Sequence, residues 1–270
     1  MRKILLLVAV LAVGSFNSLF GQGVTTSSMT GRVADNKGEG LPGATVIAIH
    51  EPSGTRYGTS TLTDGRFTIP GMRVGGPYTV TASFVGYETS KVEGIVLTLG
   101  VAANVNMTIT ETGTQLSELI IAGDRAAVFS SDRTGAATSV GRESLETLPT
   151  ISRRIDDFTR LTPQASGNSF AGQDNRLNNI TVDGSYFNNS FGLAGQPGDR
   201  TGVSPISLDA IEQIQVNIAP YDVRQGNFVG AGINTVTRSG TNQVEGSVYY
   251  LFRNENHVGQ RAKDLSFSTG

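Results

Sequence analysis

The sequence predicts a mainly β protein of two modules in series, an N-terminal β-sandwich and then an α+β unit, followed by the start of a further β region. Three observations predict it. Of 270 residues, 34 are Gly and only 16% are charged, the balance of a turn-rich β protein. Strict period-two alternation recurs: Tyr78, Val80, Ala82 and Phe84 alternate with Thr79, Thr81 and Ser83, and Val101, Ala103, Val105, Met107 and Ile109 alternate with Ala102, Asn104, Asn106 and Thr108. Finally, Asp64-Gly65 and Asp183-Gly184 each stand between β-prone runs, a two-residue hairpin signal because both residue types tolerate positive φ.

The N-terminus carries an export signal. Arg2 and Lys3 precede an apolar run from Ile4 to Val13, and small and polar residues follow. That run is too short to cross the ~30 Å core of a bilayer. Residues 1–21 are therefore expected to be a cleaved signal peptide, with the mature chain beginning near Gln22.

The composition excludes several function classes. With no cysteine, the chain has no disulfide frame, no thiol chemistry and no lipid-anchoring Cys. A net charge of -2 provides no basic face for nucleic acid. Two histidines, His50 and His257, are expected on the solvent-exposed surface and on opposite sides of two domain boundaries, so they make no zinc site. No G-x-S-x-G elbow and no H-E-x-x-H pair occurs. The carboxylates of Asp156-Asp157 and Asp183 read as helix surface and turn residues. No catalytic residue, metal site or cofactor is predicted, and the chain is expected not to be an enzyme.

Residues 26–110 form the sandwich, about seven strands in a Greek-key arrangement of antiparallel sheets. Thr45 to Ile49 is apolar on both faces and belongs in the middle of a sheet. Pro42-Gly43, Asp64-Gly65 and Gly75-Gly76-Pro77 mark turns. Residues 111–126 are a linker that opens polar and ends in "LSELIIAG". Its apolar core is too short to build a sheet of its own, so Glu118, Leu119, Ile120, Ile121 and Ala122 suit either strand addition to a partner's sheet edge or a packed connector.

Residues 127–240 form the α+β unit. Ser152 is placed to cap a helix carrying Ile155, Phe158 and Leu161 on one face, stopped by Pro163. Ser207 is placed to cap a short helix through Ile211 that leads into a strand over Ile214 to Ile218. "LNNITVDGSYF" reads as strand, Asp183-Gly184 turn and return strand. The stretch "YDVRQGNFVGAGINTVTRSGTN" first invites a phosphate-loop reading, but no Lys follows the glycines and Ile233 to Thr237 is β-prone rather than a helix start. Residues 241–270 open with "NQVEGSVYYLFR", in which Val244, Gly246, Val248, Tyr250 and Phe252 face one way, as in a strand apolar on its lipid side.

Two resemblances organise these readings. "GRVADNKGEGLPGATVIAI" with "TSTLTDGRFTIPGMRVGGPYTVTASFVGYE" resembles the carboxypeptidase-regulatory-like domain, a transthyretin-like, Ig-like β-sandwich. Farther on, "RLNNITVDG", "PISLDAIEQIQV" and "APYDVRQGNFVGAGINTVTRSGTN" occur in the order found in the plug domain of TonB-dependent outer-membrane receptors, nearest the Oar-like branch, with SusC-like receptors also carrying the preceding sandwich. The motif positions are Asp183-Gly184, Ile211-Glu212 within Ile211 to Val216, and Gly230, Gly232 and Gly240. Asn217 to Pro220 departs from the family's usual "xRGP", and no role passes to an Arg there.

The resemblance implies a β-sandwich, a plug over 127–240 and, from 241, the first strand of an outer-membrane β-barrel that is otherwise missing. Family barrels have about 22 strands, so it also implies that this is the N-terminal portion of a longer receptor. It turns Glu118 to Ala122 into a TonB-box-like strand. The implied partners are TonB with its inner-membrane motor proteins, outer-membrane lipid through the barrel, a surface lipoprotein and an unidentified substrate, with sandwich and plug on the periplasmic side of the outer membrane. The implied function is gating of energy-coupled uptake. A free-standing exported binding or adhesion module is the alternative.

Overall fold

The computed structural model describes residues 24–112, 135–150, 153–189, 206–220, 222, 225–244, 246, 248, 250, 261–262 and 265–266. Glu118, Leu119, Ile120, Ile121, Ala122 and His257 lie outside them.

The alternating segments of the first module make eight strands in two sheets. One sheet has β1 (Ser27–Ala34) in the middle, with β4 (Arg66–Met72) on one side and β7 (Ala102–Asn104) and β8 (Met107–Thr108) on the other. The second has the order β3 (Thr55–Ser60), β2 (Thr45–His50), β5 (Gly75–Ser83), β6 (Ser90–Leu97). β2 is central, as its apolar composition predicts. Met29, Val33, Val46, Ala48, Phe67, Ile69, Met72, Tyr78, Val80, Ala82 and Met107 meet between the sheets. That face of each strand is buried because alternation places every second side chain on it.

Four expectations for this module need correction. Asp64-Gly65 forms a tight turn, with the Gly65 N–H bonded to Leu62 O at 3.0 Å and φ of +79 at Gly65, but it joins no hairpin. β3 pairs with β2 and β4 pairs with β1, so the turn carries the chain from one sheet to the other. The Thr61 hydroxyl pins this corner, donating to Leu41 O at 2.5 Å and accepting from the Ala44 N–H at 2.8 Å. The module is also not purely antiparallel, since β7 and β8 run parallel to β1. Gly75-Gly76-Pro77 opens strand β5 instead of forming a turn.

His50 is buried, not solvent-exposed. Its Nδ1 is 2.7 Å from Ser53 Oγ and its ring lies 4.9 Å from that of Tyr78. Alternation explains this: His50 shares a face with Val46 and Ala48. Burial, and secondarily Arg73, hold its imidazole pKa below the usual value.

The second module is a five-stranded sheet in the order β13 (Ser185–Tyr186), β12 (Asn179–Val182), β15 (Gly232–Thr237), β14 (Ile211–Pro220), β9 (Gly135–Gly141). β12 and β15 run parallel and the other neighbours antiparallel. Two short helices, α1 (Arg142–Thr147) and α2 (Ile155–Thr159), contribute Leu145, Ile155 and Phe158 to a core with Val140, Phe170, Ile180, Leu208, Ile211, Ile214, Val216 and Ile233. Ala165–Ser166 and Ser169–Phe170 form the small hairpin β10–β11.

The helical predictions hold in part. Ser207 caps a single 3-10 turn, Leu208–Ala210, by accepting from the Asp209 N–H, and Ile211 already begins β14. In α2 the N-cap is Arg154, and Ser152 lies outside the described residues. After Thr159 the chain tightens through Leu161 N–H to Phe158 O at 3.0 Å and Thr162 N–H to Thr159 O at 3.1 Å. These three-residue turns rotate Leu161 off the buried face and leave it 50% exposed. Asp156 is buried instead of lying on a helix surface, 3.2 Å from the Arg154 guanidinium.

Val244, Gly246, Val248 and Tyr250 are in no strand. Val244, Val248 and Tyr250 are almost fully exposed. A strand needs a neighbour to receive its backbone hydrogen bonds, and among the described residues this segment has none.

Candidate functional site: the seam between the modules

Of the predicted plug-motif residues, Asp183-Gly184, Ile211, Glu212 and Gly232 lie in or between strands of one sheet, while Gly230 precedes β15 and Gly240 follows it. Asp183 and Gly184 have φ of +48 and +80, the pair of positive values that a two-residue hairpin of this kind requires. They join β12 to β13. Asp183 does more than turn the chain. Its carboxylate accepts from the Thr237 N–H at 2.9 Å and from the Thr237 hydroxyl at 2.7 Å, tying the hairpin to the end of β15.

The glycine-rich stretch leads into β15, not a helix. The Gly230 N–H donates to Leu177 O at 3.3 Å and the Ala231 N–H to Asn178 Oδ1 at 3.0 Å. Those N–H groups are used within the fold, which is inconsistent with a phosphate cradle. A Cβ on Gly230 would overlap the same Asn178 Oδ1, and one on Gly232 would lie 2.7 Å from the Phe228 ring. Gly240, by contrast, faces open space.

Ile211 and Glu212 sit at an irregularity. The pairing of β14 with β15 shifts between Ile211 and Gln213. This bulge lets Ile211 and Ile214 share one core although they are three residues apart. From Gln213 onward strict alternation resumes. Ile214 and Val216 enter the apolar core, while Gln213, Gln215 and Asn217 lie on the opposite face, and all three are buried.

What buries that polar face is the sandwich. The turn after β6 presents Leu99, fully buried in a small apolar cluster with Val24, Val74 and Val236 of β15. The Leu99 N–H donates to Gln213 Oε1 at 2.9 Å and its carbonyl accepts from Gln215 Nε2 at 2.8 Å. Asn217 Nδ2 donates to Gln215 Oε1 at 3.1 Å. A second contact joins the Asn242 N–H to Pro52 O at 3.1 Å. Both backbone groups of a buried turn residue are thus satisfied by side chains of the other module, as a buried polar seam requires.

Glu212 lies at the edge of the seam against Gly75, whose missing side chain makes room for its carboxylate. Burial raises its pKa above the usual range, an effect opposed by Arg142 and Arg238 and reinforced by Glu146. Among the described residues no group of three or more His, Asp or Glu is arranged to hold a metal ion. The contacts across the seam are amide hydrogen bonds and apolar packing.

Sequence reasoning singled out Ile211, Glu212 and the glycines and missed Leu99, Gln213, Gln215 and Ser139, the β9 residue that partners Gln213. The signal present was an amide at every second position of a strand whose other face is apolar. By itself it reads as a wet face.

Parts of the chain are similar to known proteins. Residues 28–110 match the carboxypeptidase regulatory-like domain family, which covers the eight-stranded sandwich. The chain is also 28% identical over 101 residues to the TonB-dependent transporter Oar of Myxococcus xanthus, a stretch that is 36% of this chain and 9% of that protein. Among solved structures, catechol 1,2-dioxygenase from Pseudomonas arvilla C-1 aligns with 34% of this chain and 54% of its own at 12% identity and a TM-score of 0.26. A cohesin–X-dockerin complex from Acetivibrio cellulolyticus aligns with 31% of this chain and 52% of its own at 22% identity and a TM-score of 0.23.

Proposed function

We propose that this chain is the N-terminal part of a TonB-dependent outer-membrane transporter. The second sheet is its plug, and sandwich and plug gate energy-coupled uptake from the periplasmic side. The observation that carries the reading is the closure of the spaced motifs onto one sheet. The Asp183-Gly184 hairpin bonds to Thr237 across 54 residues, and the β14 motif lies beside the glycine-led β15. Similarity to part of a TonB-dependent transporter and the family match over residues 28–110 support a transporter-like N-terminal region that contains the sandwich.

Glu118 to Ala122 then act as the strand offered to TonB, and the chain is not a catalyst. The test is capture of the mature chain, from Gln22, by the TonB C-terminal domain. The wild-type chain is expected to bind and Ile120→Pro to lose binding, because proline cannot donate to an added strand. Equal binding by both forms, or none by the wild type, overturns the reading.

A further inference from the structure

One side chain in the seam belongs to three elements at once. Gln213 projects from β14, its Oε1 accepts the Leu99 N–H of the sandwich at 2.9 Å, and its Nε2 donates to Ser139 Oγ on β9. It is 5% exposed, so both ends of its amide depend on protein partners. β9 is an edge strand whose ladder partner is β14, and Ser139 is only half buried. Among the described residues β9 is paired on one side only, so its departure breaks a single ladder, at the cost of its pairings with β14 and of the burial of Val140.

We propose that Gln213 is a relay between the edge strand and the sandwich, so that the Leu99 N–H keeps its partner only while β9 is in place. Ser139 holds one end of the amide and thereby orients the other toward Leu99. When β9 leaves, Nε2 loses its acceptor in a dry site, the amide turns toward water, and the Leu99 N–H loses its partner. Gln215 holds the Leu99 carbonyl independently of β9, so the latch loosens at one of two points instead of falling open. This coupling rests on the seam geometry and stands whether or not the chain transports anything.

Amide hydrogen exchange on the full chain tests it, with Leu99 as reporter and Val80, in the sandwich core, as control. Ser139→Ala removes a hydroxyl from a half-buried edge position and leaves both apolar cores intact. It is expected to speed Leu99 exchange by about 3- to 10-fold, the range for one neutral hydrogen bond, without changing Val80. Gln213→Ala is expected to speed Leu99 at least as much, and Ser139→Thr, which keeps the hydroxyl, to restore the wild-type rate. Leu99 exchange unchanged by Ser139→Ala overturns the relay, as does equal acceleration of Leu99 and Val80.

Discussion

The sandwich and the second sheet solve the same burial problem differently. Each sheet of the sandwich turns one face to the other, and the core between them is mainly apolar, with His50 beside Tyr78 and a few buried polar side chains such as Ser27 and Thr61. Central strand β14 of the second sheet is buried on both faces. One face carries Ile214 and Val216, and the other carries Gln213, Gln215 and Asn217 under the sandwich. An apolar core is non-directional and tolerates sliding, whereas amides demand partners at fixed positions. The sandwich builds its main core between its own sheets, while β14 buries its polar face against a neighbour, and the two modules share the contacts at Leu99. A buried polar seam of this kind specifies register at modest net stability.

Five substitutions, in four experiments, test that contrast. The largest effect is expected from Phe158→Ala, which removes a fully buried ring from the second core. It should cost about 3–5 kcal/mol, read as an earlier thermal transition of the second module with the sandwich transition unmoved. A single shared transition would show that the seam binds the modules into one cooperative unit. Next comes the pair Gly232→Ala and Gly240→Ala. The first forces a Cβ against the Phe228 ring and should cost about 1–3 kcal/mol. The second enters open space and should stay within about 0.5 kcal/mol, so equal costs in denaturant titrations would refute the close-approach account.

Glu212→Gln acts at the seam itself. Burial raises the folded-state pKa of Glu212, so the folded state binds protons more tightly than the unfolded chain and loses stability as pH rises above the ordinary carboxyl value. The neutral amide removes that loss. The variant's melting temperature is expected to exceed wild type at pH 7 and to converge with it below about pH 4.5. A variant less stable at pH 7 would mean that Arg142 and Arg238 outweigh the burial. The smallest effect belongs to His50. Its folded pKa is depressed, so its contribution is fully present above the unfolded value of about 6.5 and is lost as pH falls below it. His50→Gln should flatten the acid limb of the sandwich's stability curve, and an unchanged limb would place the titration elsewhere.

Which parts of this were legible beforehand follows the range of the forces involved. Both Asp-Gly turns were readable, because positive φ at such residues is a local property. Only Asp183-Gly184 closes a hairpin, since Asp64-Gly65 links strands that pair in different sheets. Alternation correctly placed Tyr78, Val80 and Ala82 inside, and it also carried His50 inside against expectation from its polarity. Leu161 was misplaced because the chain leaves α-helical geometry after Thr159.

The sequence by itself determined the strand periodicity, the two Asp-Gly turns, the order of the two modules and the absence of cysteine chemistry. These follow from steric and hydrophobic preferences of neighbouring residues. Only the tertiary structure decided that Gln213 and Gln215 face the sandwich instead of water, that Leu99 is the residue they hold, and that Ser139 shares in holding it. A glutamine at every second position satisfies its hydrogen bonds equally well with solvent or with a buried backbone. The local pattern is the same in both cases, and the choice is made by what packs on top.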